Sequence, residues 1–275
     1  MNIQYVVANP SGNVTILVLN PVDKTLHSAV AEQLLAHDKA AEQVGYLTME
    51  EGQPLRVDMM GGEFCGNASR SSAAYALMLS GQETGEYTVS CSGCDTLLTA
   101  QAKCRSDGAY DAFIEMPRPE SVEAVLVDVG GLPSRFYRVD LPGIVHFVHT
   151  VLDIDHVDKE QLWQAVYDYA KDEGYEAFGL ILFDPRQLKM IPAVYVTATD
   201  TIYWENSCGS GSAAVAATLA VLGKRDVSCK IAQPGGTIEI AATVNAEKEL
   251  ERVYIGGPVT FSDVKEAIIR TARSL

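Results

Sequence analysis

The stretch 61-GGEFCGNASRSSAAYAL-77 sets a cysteine directly before glycine and small polar residues, then runs into an alanine-rich segment. A second stretch, 206-NSCGSGSAAVAATLA-220, repeats the arrangement. Each reads as a loop becoming a helix, with Cys65 or Cys208 at the start. The similarity continues downstream. After the first helix comes 88-TVSCSGCDTLLTA-100, and after the second 227-VSCKIAQPGGTIEIAA-242. Both open on Val-Ser-Cys, pass through glycine, and continue as a short β-rich run. The order of cysteine loop, small-residue helix, strand and glycine turn therefore occurs twice, far too widely spaced for a solenoid. Duplication of a whole domain is the simplest reading.

The proline-punctuated stretch 116-MPRPE-120 falls between the copies and marks the boundary. It predicts an N-terminal domain over 1–118 and a C-terminal one over 119–261. Residues 262–275 read as an amphipathic helix capped by Ser262, free to pack on either half. Strands are predicted at 14–19, 143–151, 178–183 and 193–199 from their β-branched and aromatic content. Segments 26–40 and 158–172 show helical spacing, with Leu162, Val166 and Tyr169 on one face. There is no regular βαβ rhythm and no Rossmann glycine fingerprint. The fold class is α+β, as two similar domains.

Composition narrows the function. The chain has 275 residues, 47% hydrophobic and 21% charged, a globular balance. A net charge of −15 argues against nucleic acid as a partner. The N-terminus has no secretory pattern and no apolar run could span a bilayer, so no membrane association and a cytoplasmic location are expected. Thiols stay reduced there. The six cysteines (65, 91, 94, 104, 208 and 229) are thus read as reactive or buried thiols.

The first amides of a helix lack intrahelical partners and carry partial positive charge. A thiol in that field is expected to have a lowered pKa. The amides of Gly66-Asn67 and Gly209-Ser210 can receive a carboxylate. Two such caps facing one another would grip one carboxylate and set a sulfur on each side of the adjacent carbon. One thiolate could remove an α-proton while the other thiol delivers one to the opposite face. Cys91-Ser92-Gly93-Cys94 invites a zinc or redox reading, but only Cys104 is near enough as a third ligand; buried strand cysteines are expected, and no metal. No lysine lies in a context suggesting a pyridoxal Schiff base, so no cofactor is expected.

These motifs resemble the cofactor-independent amino-acid racemases of the diaminopimelate epimerase superfamily, over nearly the whole chain. The resemblance implies that each domain is a mixed sheet around a central helix, with the active site in the interdomain cleft. It implies Cys65 and Cys208 as the catalytic pair. The run 9-NPSGNVTILV-18 points to Asn13, and 41-AEQVGY-46 to Gln43, with Glu42 beside it. Asn67 follows the first cysteine motif. His146 in 142-PGIVHFV-148 matches a histidine beside the site, and Glu205 a strand-end glutamate. Gly66, Gly209 and Ser210 supply the amides.

The departures bear on substrate. Epimerases of the superfamily follow that glutamate with an arginine that grips a distal carboxylate; here Asn206 follows Glu205. Ile144 and Ala177 replace asparagines. The motifs are closest to the histidine racemases of opine-metallophore (staphylopine-type) biosynthesis, which implies a free amino acid with a neutral or basic side chain, histidine first. Glu42 or Glu205 would contact its amino group or imidazole. The alternatives are an epimerase of another amino acid, and an amino-acid-binding or redox-sensing protein without turnover. The expected partner is a small amino-acid substrate; a homodimer is left open.

Overall fold

The structure is a computed structural model and describes residues 1–270. The chain forms two compact units, one of Met1–Glu115 together with the chain from Gly256 onward, the other of Met116–Ile255.

In the first unit β1 (Asn2–Asn9) pairs antiparallel with β2 (Thr15–Val18). Helix α1 (His27–His37) then crosses to β3 (Gln43–Thr48), parallel to β2. β4 (Leu55–Met59) is antiparallel to β3, and α2 (Gly66–Ser80) crosses to β5 (Thr84–Cys91), parallel to β4. β6 (Cys94–Cys104) and β7 (Tyr110–Met116) follow as antiparallel neighbours. Each parallel pair is joined through a helix, as the reach of a parallel connection requires.

The second unit opens with antiparallel β8 (Ser121–Val129), β9 (Leu132–Leu141) and β10 (Ile144–Thr150). Its order of elements then runs as before. α3 (Lys159–Ala170) crosses to β11 (Ala177–Asp184), parallel to β10. β12 (Lys189–Val196) and the short β13 (Thr201–Trp204) turn back antiparallel. α4 (Gly209–Gly223) leads to β14 (Val227–Gln233), which meets β12 in parallel, and β15 (Gly236–Val244) pairs antiparallel with β14.

β16 (Leu250–Phe261) carries the chain back, and its end pairs with β1 through Ala8 and Phe261. Residues 256–261, expected with the second half, therefore group with the first unit. The helix expected over 262–275 is corrected in the same place: Lys265–Ile268 form β17, antiparallel to β1. Here the period is two, not 3.6. Ala267 and Ile269 are buried on the apolar cluster of Ile3 and Tyr5, while Ile268 faces outward. Residues 271–275 of that expected helix lie outside the described residues.

Both small-residue helices are buried nearly all round, α2 from Gly66 to Tyr75 and α4 over most of Gly209–Ala220. Alanine, serine and glycine let strands approach on every side. The serines cost little there because each returns its hydroxyl to a carbonyl one turn back: Ser69 to Cys65 (2.8 Å), Ser71 to Asn67 (2.8 Å), Ser212 to Cys208 (2.6 Å). The helix through Leu162 and Val166 buries both, but Tyr169 on the expected face is exposed.

Candidate active site

Cys65 and Cys208 are the N-cap residues of α2 and α4. Both have extended backbone dihedrals, and each Sγ accepts the N–H three residues on, Ala68 at 3.4 Å and Gly211 at 3.2 Å. The next amides, on Gly66 and Asn67 and on Gly209 and Ser210, belong to the first turn and have no intrahelical acceptor.

Around Cys65 the first unit gathers four of the residues singled out by sequence. Gln43 Nε2, at the start of β3, lies 3.2 Å from Cys65 Sγ, 2.7 Å from Asn13 Oδ1 and 2.8 Å from Thr15 Oγ1. Asn13 donates to Glu42 at 3.2 Å and accepts from Asn67 Nδ2 at 3.4 Å. Sequence reasoning missed Arg70. Fully buried inside α2, it donates to the Pro10 carbonyl (2.6 Å), the Gly257 carbonyl (3.0 Å) and Asn67 Oδ1 (3.1 Å). One guanidinium thus orients Asn67 and pins the loop that carries Asn13. Its position, five residues past the cysteine in a serine-rich helix, was the available signal.

Around Cys208 the second unit gathers Ser210, His146 and Glu205. Ser210 Oγ stands 3.4 Å from Cys208 Sγ and 2.8 Å from His146 Nε2, forming a chain of polar atoms from thiol to imidazole. His146 is fully buried on β10 and held neutral, its pKa pushed down to about 3 by desolvation. It braces Ser210 and has no exposed edge to offer a ligand. Its opposite nitrogen presses on Gly179 of β11, where a Cβ would fall 2.6 Å from it, so glycine is required there. The Glu205 carboxylate lies within hydrogen-bonding reach of the Cys208 thiol. Asn206 is exposed, and its carbonyl accepts the Gly235 N–H at 2.7 Å.

The expected lowering of the two thiol pKa values is corrected. Burial pushes Cys65 up to about 12, opposed by the Ala68 amide and Gln43. Cys208 is also raised, by burial and then by the Glu205 charge, opposed by Ser210 and the Gly211 amide. Magnitudes decide this. A rise from 9.0 to about 12 is worth roughly 4 kcal/mol, whereas a helix terminus supplies at most ~2 kcal/mol. Burial thus favours the neutral thiol at each cysteine.

Of the remaining cysteines only Cys91 is buried; Cys94 and Cys229 are half-buried and Cys104 is exposed. Among the described residues no group of three His, Cys, Asp or Glu is arranged for a metal. The Cys91–Cys94 run is a tight turn supporting the loop before Cys65. Ser92 Oγ donates to the Glu63 carbonyl and accepts the Met59 N–H, both at 2.8 Å. Gly93, at φ +67°, packs so closely that a Cβ would meet the Phe64 nitrogen at 2.4 Å. No helix among the described residues is long and apolar enough to cross a membrane.

The fold has solved counterparts. A hydroxyproline epimerase from Agrobacterium vitis matches over 97% of this chain and 91% of its own, with a TM-score of 0.67 at 13% identity. In sequence, a histidine racemase of Fusobacterium nucleatum subsp. nucleatum is 34% identical over 264 residues, 94% of each chain. A histidine racemase of Staphylococcus aureus is 28% identical over 247 residues, covering 87% of this chain and 88% of that one. This α+β fold and these relatives make the chain an isomerase of the amino-acid racemase class. More narrowly, it belongs to the family described as "Histidine racemase CntK N-terminal domain", whose model matches residues 2–265.

Proposed function

We propose that the chain racemises a free amino acid, histidine first, by a two-base reaction between Cys65 and Cys208 without a cofactor. The observation that supports this is the pair of cysteines capping α2 and α4 in the same way, each Sγ bound to the third amide of its helix. The reading keeps two epimerase-like domains, their bounds redrawn to Met1–Glu115 with the chain from Gly256 and to Met116–Ile255, and requires a cleft in which the two caps meet opposite faces of one α-carbon.

In one direction a thiolate takes the α-hydrogen as a proton, and the C–H electron pair moves into the carboxylate as enolate-like charge. The opposite thiol then donates its proton to the other face and becomes the thiolate. The Gly66, Asn67, Gly209 and Ser210 amides meet the developing charge; preorganised donors of this kind contribute ~3 kcal/mol each. The substrate's α-ammonium supplies a positive charge beside thiols that burial otherwise keeps protonated. Asn13, Gln43 and Asn67 orient the substrate on one side. His146 and Ser210 fix the thiol on the other. Glu42 and Glu205 are the carboxylates that would contact the ammonium or the imidazole. Asn206 stands where the superfamily's epimerases carry the arginine that grips a distal carboxylate.

The test is solvent deuterium incorporation at the α-position of L-histidine, with loss of optical activity, against a panel including diaminopimelate. Cys65→Ala and Cys208→Ala should each abolish racemisation, since either direction needs both an acceptor and a donor. Near-wild-type turnover by either variant refutes the two-base assignment. Preferred turnover of diaminopimelate refutes the specificity argument. A binding protein would exchange no deuterium at all.

A further inference from the structure

The two catalytic helices share a second feature that the reaction scheme does not use. In an ordinary capping box the N-cap side chain accepts the third amide of the helix, and the third residue's side chain returns to the N-cap N–H. Here the third residues are Ala68 and Gly211, neither of which has a hydrogen-bonding side chain to return. The cysteine N–H groups must be closed from elsewhere.

In the second unit Gln233 closes it. This buried residue is the last of β14, and its Oε1 accepts the Cys208 N–H at 2.8 Å. Its Nε2 donates to Ser212 Oγ at 2.8 Å, and Ser212 donates to the Cys208 carbonyl at 2.6 Å. One amide side chain thus holds the backbone of the cysteine on both sides. In the first unit the last residue of β5 is the fully buried Cys91. There Ser69 donates to the Cys65 carbonyl at 2.8 Å, as Ser212 does to that of Cys208. Each strand then turns through two residues into its antiparallel partner, Cys91 opposite Cys94 and Gln233 opposite Gly236. Cys91 and Gln233 occupy equivalent places in the two units, although the Val-Ser-Cys match pairs Cys91 with Cys229. Cys229 lies half-buried further back along β14.

We propose that Gln233 is a positioning residue that fixes Cys208 from the end of the adjacent strand by closing its backbone N–H. The proposal rests on the two-base reading. The clamp serves one sulfur, so it acts on one half of the reaction.

The experiment measures kcat, KM and the primary isotope effect with α-deuterated L- and D-histidine in both directions. Gln233→Leu leaves the Cys208 N–H without its acceptor; kcat is expected to fall at least tenfold with KM within about threefold. The isotope effect should rise in the direction in which Cys208 abstracts and fall in the other. Gln233→Glu, which keeps an acceptor, should recover the rate to within about threefold of wild type. If Gln233→Leu does not fold, Gln233→Met decides by the same two isotope effects. Equal rates for the apolar and Glu variants, or equal changes of the isotope effect in both directions, overturn the proposal. Cys65→Ala and Cys208→Ala are run alongside. If either still racemises, the two-base reading falls and the clamp with it. If both are inactive while Gln233→Leu keeps its kcat, the clamp alone falls.

Discussion

In the substrate-free protein at pH 8, an ordinary thiol of pKa 9.0 is about one-tenth thiolate; with the pKa at about 12, Cys65 holds roughly a thousandfold less. The thiolate that does form is the stronger nucleophile. A Brønsted slope of ~0.4–0.5 returns about twentyfold of that loss. Exchange with a small neutral disulfide, such as hydroxyethyl disulfide, should therefore be about fiftyfold slower at Cys65 than at an unperturbed thiol. The sign follows from the same cause. Burial disfavours the anion, so the rate should climb about tenfold per pH unit from 7 to 10 without a plateau. The assay is quantitative mass spectrometry of the Cys65 and Cys208 peptides under non-reducing conditions, sampled at each pH. Cys208, raised by burial and by the Glu205 charge, should show the same climb with pH. A plateau below pH 9 at Cys65 would refute the reasoning, because the amides of α2 would then outweigh desolvation.

Two further outcomes concern His146. Its folded pKa of about 3 lies below the ordinary 6.5, so the stability it contributes is present above pH 6.5 and is lost as pH falls toward 3. The full span is worth about 5 kcal/mol; urea midpoints from pH 7 to 4 should fall more steeply for wild type than for His146→Asn, and parallel curves would refute a buried neutral imidazole. Gly179→Ala would set a Cβ 2.6 Å from both the Ala193 carbonyl and His146 Nδ1. Overpacking of that kind costs on the order of 1–3 kcal/mol, so the variant should melt several degrees lower and lose at least tenfold in kcat; unchanged values would show that His146 does not depend on that contact.

Local chemistry was legible in the chain. Cysteine followed by glycine and small residues, twice, identified both caps. Asn13, Gln43 and Asn67 do lie around Cys65, and Ser210 and Glu205 around Cys208. Short-range pattern carries such information because a cap is built within four residues of itself. Three matters were left to tertiary structure. The segment after Ser262 has helical spacing, but the open edge of β1 offers every backbone group a partner, and a strand forms at Lys265–Ile268. The thiol pKa values depend on how much solvent the surrounding strands exclude, a many-body quantity that exceeds the local helix field. The equivalence of Cys91 with Gln233 is hidden because cysteine and glutamine share no side-chain likeness. What they share is a place at the end of a strand beside a helix start, and only the folded backbone brings the two together.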